Sequence, residues 1–131
     1  MIGYILQGMI WTVVITVASF AIGSVLGIAV AGARTAPFLV VRGIGRAAVE
    51  IIRSVPPLVW LFVVFFGLAE VGIKLTPLQA AITTFGIIAS VYLGEIYRGG
   101  LATLHRGQIE ASRALGLGSV DLLTKIIAPQ I

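Results

Sequence analysis

The sequence predicts an all-α membrane protein with three transmembrane helices, and three observations predict it. Of 131 residues, 59% are apolar and 11% charged, with a mean hydropathy of +1.11, whereas soluble domains carry about a quarter charged residues. The nine basic and five acidic residues avoid three long apolar stretches, and apart from Tyr4 no ionisable side chain precedes Arg34. A helix-start signal stands before the last stretch: Thr76 as N-cap, Pro77 at the first helical position and Gln79 completing a capping box. This composition excludes a water-soluble globule and a disordered tail, and the absence of cysteine excludes a disulfide scaffold. The net charge of +4 needs no nucleic-acid partner, because cytoplasmic loops of membrane proteins concentrate Lys and Arg.

A bilayer crossing takes roughly 20 apolar residues at about 1.5 Å each. The first span is expected over residues 5–33. Ala31-Gly32-Ala33 has the small residues of a leader cleavage site, but no basic region precedes the run, which far exceeds the roughly 7–15 residues of a leader core, so a retained helix is expected. The second span is expected over residues 51–69, its core from Ser54 to Ala69 extended by Ile51 and Ile52. Pro56 and Pro57 sit at its entry, where a missing N–H predicts either a bend that serves as a hinge or a plain helix start. The third span is expected over residues 76–94, closing before Glu95.

Basic residues in the short loops that join the spans fix the expected orientation. Arg34, Arg42, Arg46 and Arg53 face only Glu50 in the first link; Glu70 and Lys74 occupy the second; Arg98, Arg106, Arg113 and Lys125 follow the third span. The N-terminus and residues 70–75 are therefore expected outside, with residues 34–53 and 95–131 in the cytoplasm. Tyr4 and Trp11 suit an outer aromatic belt.

Small and polar residues recur at helical spacing: Thr12, Thr16, Ser19, Gly23 and Gly27 in the first span, Gln79, Thr83, Gly86 and Ser90 in the third. Two readings stand, close helix packing through Gly23 and Gly27 or a polar solute path that includes Gln79, Thr83 and Ser90. The Phe62, Phe65 and Phe66 cluster reads as packing or lipid contact. Gly43-Ile44-Gly45-Arg46-Ala47-Ala48 fits the dinucleotide-loop pattern G-x-G-x-x-A, but a membrane span follows within ten residues, which excludes the strand–turn–helix that the motif requires. No P-loop pattern occurs, so this chain is expected to bind no ATP itself, and His105 without clustered partners predicts no metal site.

The segment from 95 to 131 carries the most information. Glu95 and Arg98 are spaced to pair, and Gly99-Gly100 predicts a break or a close approach. Gly107–Ile131 reads as two short helices around a glycine turn. Ala111, Ala114 and Leu115 share a face of the first, and Gly116 and Gly118 can end it in a left-handed cap. Ser119 is expected to cap the second helix, with Asp121 and Lys125 paired one turn apart. Such a helix–turn–helix either enters a groove on a partner or lies on the membrane surface.

The run Glu110-Ala111-Ser112-Arg113-Ala114-Leu115-Gly116, nine residues, Ile126-Ile127-Ala128-Pro129 closely resembles the EAA motif of permease subunits of bacterial ABC importers. That motif reads E-A-A, three residues, G, nine residues, I-x-L-P; here Ser112 replaces an alanine and Ala128 the leucine. Ile52-Arg53-Ser54-Val55-Pro56-Pro57-Leu58, Phe66-Gly67-Leu68, Glu95-Ile96-Tyr97-Arg98-Gly99-Gly100, Gly107-Gln108 and Pro129-Gln130 resemble the polar amino acid uptake branch. The resemblance implies a partial ABC importer permease fold in the inner membrane, with no catalysis in this chain. It implies coupling through Gln108, Glu110, Ala111, Ala114, Leu115 and Gly116 to a separate ATPase subunit, which would hold ATP and magnesium. It also implies a second permease chain, homodimeric or heterodimeric, and an extracytoplasmic amino-acid-binding protein. Permeases of that branch continue with two more membrane helices after the Pro-Gln, so the chain is expected to be truncated after the motif. The rival expectation is a degenerate permease that persists only as a small structural membrane protein without transport.

Overall fold

The computed structural model describes residues 2–130, which are helical nearly throughout with no strand among them. Helix α1 spans Ile2–Thr35 and α2 spans Leu39–Ser54. Helix α3 covers Pro57–Glu70, with a π-helical stretch at Val63–Gly67. Helix α4 is Pro77–Thr103 and α5 is Arg106–Ala114. A last helical stretch, α6, starts as Ser119–Asp121, continues as π-helix over Leu122–Ile127 and tightens to a 3-10 turn at Ala128–Gln130.

The core is the α1–α4 pair, and it is built from absent side chains. A Cβ added to Gly23 would lie 2.5 Å from the Ala89 Cβ, and one on Gly94 would lie 2.6 Å from Val30 Cγ1. Around Gly27 a Cβ would meet the Gly94 nitrogen at 3.1 Å and the Ser90 oxygen at 3.2 Å. Backbones this close gain dispersion contacts that no larger residue would permit, the main source of helix association in lipid. Ser19 is 4% exposed, and its hydroxyl donates across the interface to the Ile82 carbonyl at 3.4 Å. Contacts advance together along both chains, from Ser19–Ile82 through Ile22–Gly86 to Val30–Gly94, so α1 and α4 run parallel. Helix α3 runs back between them in sequence, and its Trp60 and Val64 close a cavity of about 120 Å³ with Ile52, Thr84, Ile87 and Ile88.

Three expectations change here. The link after the first span is not a loop: residues 39–54 form a helix, because Val40, Ile44 and Ile51 recur at helical spacing opposite Arg42, Arg46 and Arg53. The chain then turns by 102° between Leu39–Ser54 and Pro57–Glu70, so the apolar helix begins at Pro57 rather than at residue 51 and is about 21 Å long. Pro57 takes the first helical position and Pro56 sits extended as its N-cap (φ −56°, ψ 141°), because neither residue has an N–H to continue α2. The Trp60 indole N–H donates to the Ile52 carbonyl at 3.1 Å, satisfying one of the acceptors that this break leaves open. Gly99-Gly100 does not interrupt α4, which continues to Thr103; glycine is tolerated inside helices that pack in membranes. The capping box is present, with the Thr76 N–H donating to Gln79 Oε1 at 2.9 Å and the Gln79 N–H to Thr76 Oγ1 at 3.3 Å.

Candidate functional site

Helix α5 ends in a complete Schellman turn. The Leu117 N–H donates to the Ser112 carbonyl at 3.1 Å and the Gly116 N–H to the Arg113 carbonyl at 2.9 Å, with Gly116 at φ +76°. This left-handed residue has to be glycine at little cost, since an L side chain there is strained by about 1–2 kcal/mol. Gly118 is extended instead (φ −68°, ψ 164°) and serves as N-cap of α6, the place expected for Ser119. The Leu122 N–H donates to the Gly118 carbonyl at 2.9 Å, and the Lys125–Asp121 pair forms at 2.7 Å. Both glycines thus fix the angle between α5 and α6.

Ser112 is the anchor of α5: it is 5% exposed, and its hydroxyl donates to the Gln108 carbonyl at 2.7 Å. That i−4 bond explains why a serine is accommodated where the motif has alanine. Gln108, Glu110, Ala111, Ala114, Leu115 and Gly116 are all exposed, and Leu115 presents 81% of its surface. A large apolar side chain held outward on a fixed turn, next to two alanines, makes a small convex knob suited to a concave apolar partner.

The cytoplasm-directed ends of α1 and α4 in the expected topology are tied by a three-residue ion cluster that spacing alone did not reveal. Arg34 Nε donates to Glu95 Oε1 at 2.7 Å, while Arg98 donates through Nε and Nη2 to Glu95 Oε2 at 3.1 and 3.0 Å. The side chains of Arg34 and Glu95 are only 13% and 16% exposed. The Glu95–Arg98 half was legible as an i, i+3 pair; Arg34 lies 61 positions earlier and needed the parallel α1–α4 packing to arrive.

The polar stripe of α4 divides. Gln79 and Thr83 are exposed, whereas Ser90 is 5% exposed against α1 and donates to the Ile87 carbonyl at 2.6 Å. Gly86 likewise packs on Ile22, so Ser90 and Gly86 belong to the helix contact. On the other helix, Thr12, Thr16 and Ser19 line a groove of about 470 Å³ together with Phe85 and Ala89. Thr84, one position from Thr83, lies off the polar stripe: it is 1% exposed and its hydroxyl has no hydrogen-bond partner. Among the described residues no cluster of His, Asp or Glu could hold a metal ion.

Two helices, or three counting the bent pair of α2 and α3, are apolar and long enough to cross a bilayer. With a fixed, exposed helix–turn–helix joined to the end of α4, this defines a multi-pass helical membrane component of the permease type. Residues 23–131 match the family described as binding-protein-dependent transport system inner membrane component, and the chain belongs to that family. It is 32% identical over 127 residues to the probable amino-acid ABC transporter permease protein YckA of Bacillus subtilis (strain 168), covering 97% of this chain and 56% of that one. It is 36% identical over 129 residues to the probable glutamine ABC transporter permease protein GlnP of the same organism, covering 98% and 59%. A solved structure described as an amino acid ABC transporter with histidines superposes with a TM-score of 0.79 at 29% identity, covering 95% of this chain and 58% of that chain. The chain thus spans a little over half the length of these relatives.

Proposed function

We propose that this chain acts as a membrane-spanning permease subunit of an ATP-driven importer for polar amino acids. The observation that carries the proposal is the exposed α5 knob, Ala111, Ala114 and Leu115 ahead of a left-handed Gly116, at the register of the EAA motif. The relatives' names, amino-acid and glutamine ABC permeases, support the substrate class. In this reading the knob, with Gln108 and Glu110 on its rim, seats in a separate ATPase subunit, which binds ATP and magnesium and does the hydrolysis. A second permease chain completes the path, and an extracytoplasmic binding protein delivers the amino acid. The N-terminus lies outside and residues 95–131 lie in the cytoplasm.

Mechanically, ATPase closure would move α5. The Schellman turn passes the motion to α6, and the Glu95 cluster passes it to α1 and α4 as a unit, because both helices are held to one carboxylate. The Pro56–Pro57 corner is where α2 would swing relative to α3. Exposed Thr83 and Gln79, with the Thr12–Thr16 groove, are proposed to border the solute path.

The test is uptake of a panel of radiolabelled amino acids by proteoliposomes holding the chain with its ATPase and binding protein. ATP-dependent uptake confined to polar amino acids, with selectivity altered by Thr83→Val, is the expected result. ATP-independent uptake would refute the reading, and no uptake with every component assembled would favour a non-transporting remnant.

A further inference from the structure

We infer that α2 is a membrane-surface helix whose Arg42 and Arg46 bind the headgroups of anionic phospholipids while Val40 and Ile44 enter the acyl region. Val40, Ile44 and Ile51 repeat at i, i+4 and i+11, and Arg42, Arg46 and Arg53 repeat with the same spacing two residues later. At about 100° per residue each set spans about 40° of the helix, and the two sets lie on opposite sides. A third side meets the protein: a Cβ on Gly45 would touch the Ala33 Cβ at 3.4 Å, Val49 is 4% exposed, and Ile52 lines the cavity beside Trp60. The apolar set is left uncovered, Val40 at 72%, Ile44 at 67% and Ile51 at 55% exposure, with Phe38 and Leu39 also exposed at the start.

The two arginine sites are equally uncovered. Among the described residues Arg42 and Arg46 take part in no ion pair, whereas Arg53 lies 5.2 Å over the ring of Tyr92 and Arg34 holds Glu95. An apolar stripe opposite two free arginines is the pattern of a helix lying at the headgroup–acyl boundary, and the arginines' complement is a negatively charged surface. The 102° turn at Pro56–Pro57 agrees, since with α3, about 21 Å long, directed along the membrane normal, a helix at that angle to it runs close to the membrane plane. A second protein surface would cover the apolar set equally well but would leave Arg42 and Arg46 without a reason. The inference rests on the cytoplasmic placement of residues 34–53 proposed above.

The chain has no cysteine, so spin labels can be placed singly at Ile44→Cys and Glu50→Cys in the full transporter, in nanodiscs of phosphatidylcholine with or without phosphatidylglycerol. The Ile44 label should be accessible to oxygen and shielded from a water-soluble nickel complex, and the Glu50 label the reverse. Native mass spectrometry should show preferential retention of phosphatidylglycerol. Retention should fall about fivefold for each of Arg42→Gln and Arg46→Gln and persist in the double lysine variant. Shielding of Ile44 from both reagents, meaning protein covers it, would overturn the inference, as would unchanged retention in the glutamine variants. Impermeant maleimide reaching Glu50→Cys only from the extracytoplasmic side would instead refute the topology, independently of the lipid preference.

Discussion

Replacing Gly23 by alanine should destabilise the chain, while the same replacement at Gly32, about two and a half turns further along α1 and so on its opposite face, should stabilise it. The sign comes from what each new methyl meets. At Gly23 the Cβ would stand 2.5 Å from the Ala89 Cβ, 3.0 Å from the Ala89 carbonyl carbon and 3.1 Å from the Ser90 nitrogen. Two of those atoms are backbone of α4, so relief requires the helices to part by about 1 Å, which loosens every contact from Ser19 to Val30. Overpacking of this kind costs about 1–3 kcal/mol, and the gain in helix propensity from Gly to Ala offsets about 0.5–1 kcal/mol of it. At Gly32 nothing lies within 4 Å, so only the favourable part remains. The two variants should therefore differ by about 2 kcal/mol. Steric-trapping or reversible detergent unfolding of the complex would read the difference. Equal effects at both sites would show that α1 and α4 do not pack through Gly23, and the fold described above would be wrong at its core.

Other expectations follow from single groups. Thr84→Val keeps the shape and removes a hydroxyl that is buried without a partner, so it should raise stability by about 1 kcal/mol in the same unfolding assay; a loss of stability would mean that the hydroxyl is used. Glu95→Gln removes the shared negative charge between Arg34 and Arg98 and should cost about 1.5–3 kcal/mol. That cost should change little with added salt, since the Arg34–Glu95 half is largely shielded from solvent; an unchanged unfolding midpoint would remove the cluster from the proposed path of motion.

How much was legible beforehand depended on the range of the signal. The helical membrane class, the capping box at Thr76, the left-handed Gly116 and the Asp121–Lys125 pair are local, and each was readable from neighbours within about one turn. The cap of α6 slipped by one residue because Gly118 and Ser119 are both good N-caps and only backbone angles decide between them. The helicity of residues 39–54 was hidden because their charges suggested a loop, although the same charges, offset by two from the apolar set, are the pattern of an amphipathic helix. Arg34–Glu95 and the Trp60–Ile52 bond could not be read at all, since they depend on which helices meet and in which direction. For the proposed coupling segment, the candidate residues came from motif register, while their exposure and the burial of Ser112 needed the fold.

The central claim is that α5 transmits ATPase closure into the spans, and Gly116→Trp tests it most directly. Its φ of +76° leaves no relaxed place for a bulky L-residue, so the turn between α5 and α6 should open although a Cβ there would touch nothing. In the transporter reconstituted with its ATPase and binding protein, the variant should insert and assemble normally, while loaded binding protein should no longer stimulate ATP hydrolysis or drive uptake. Wild-type stimulation in that variant would contradict the account.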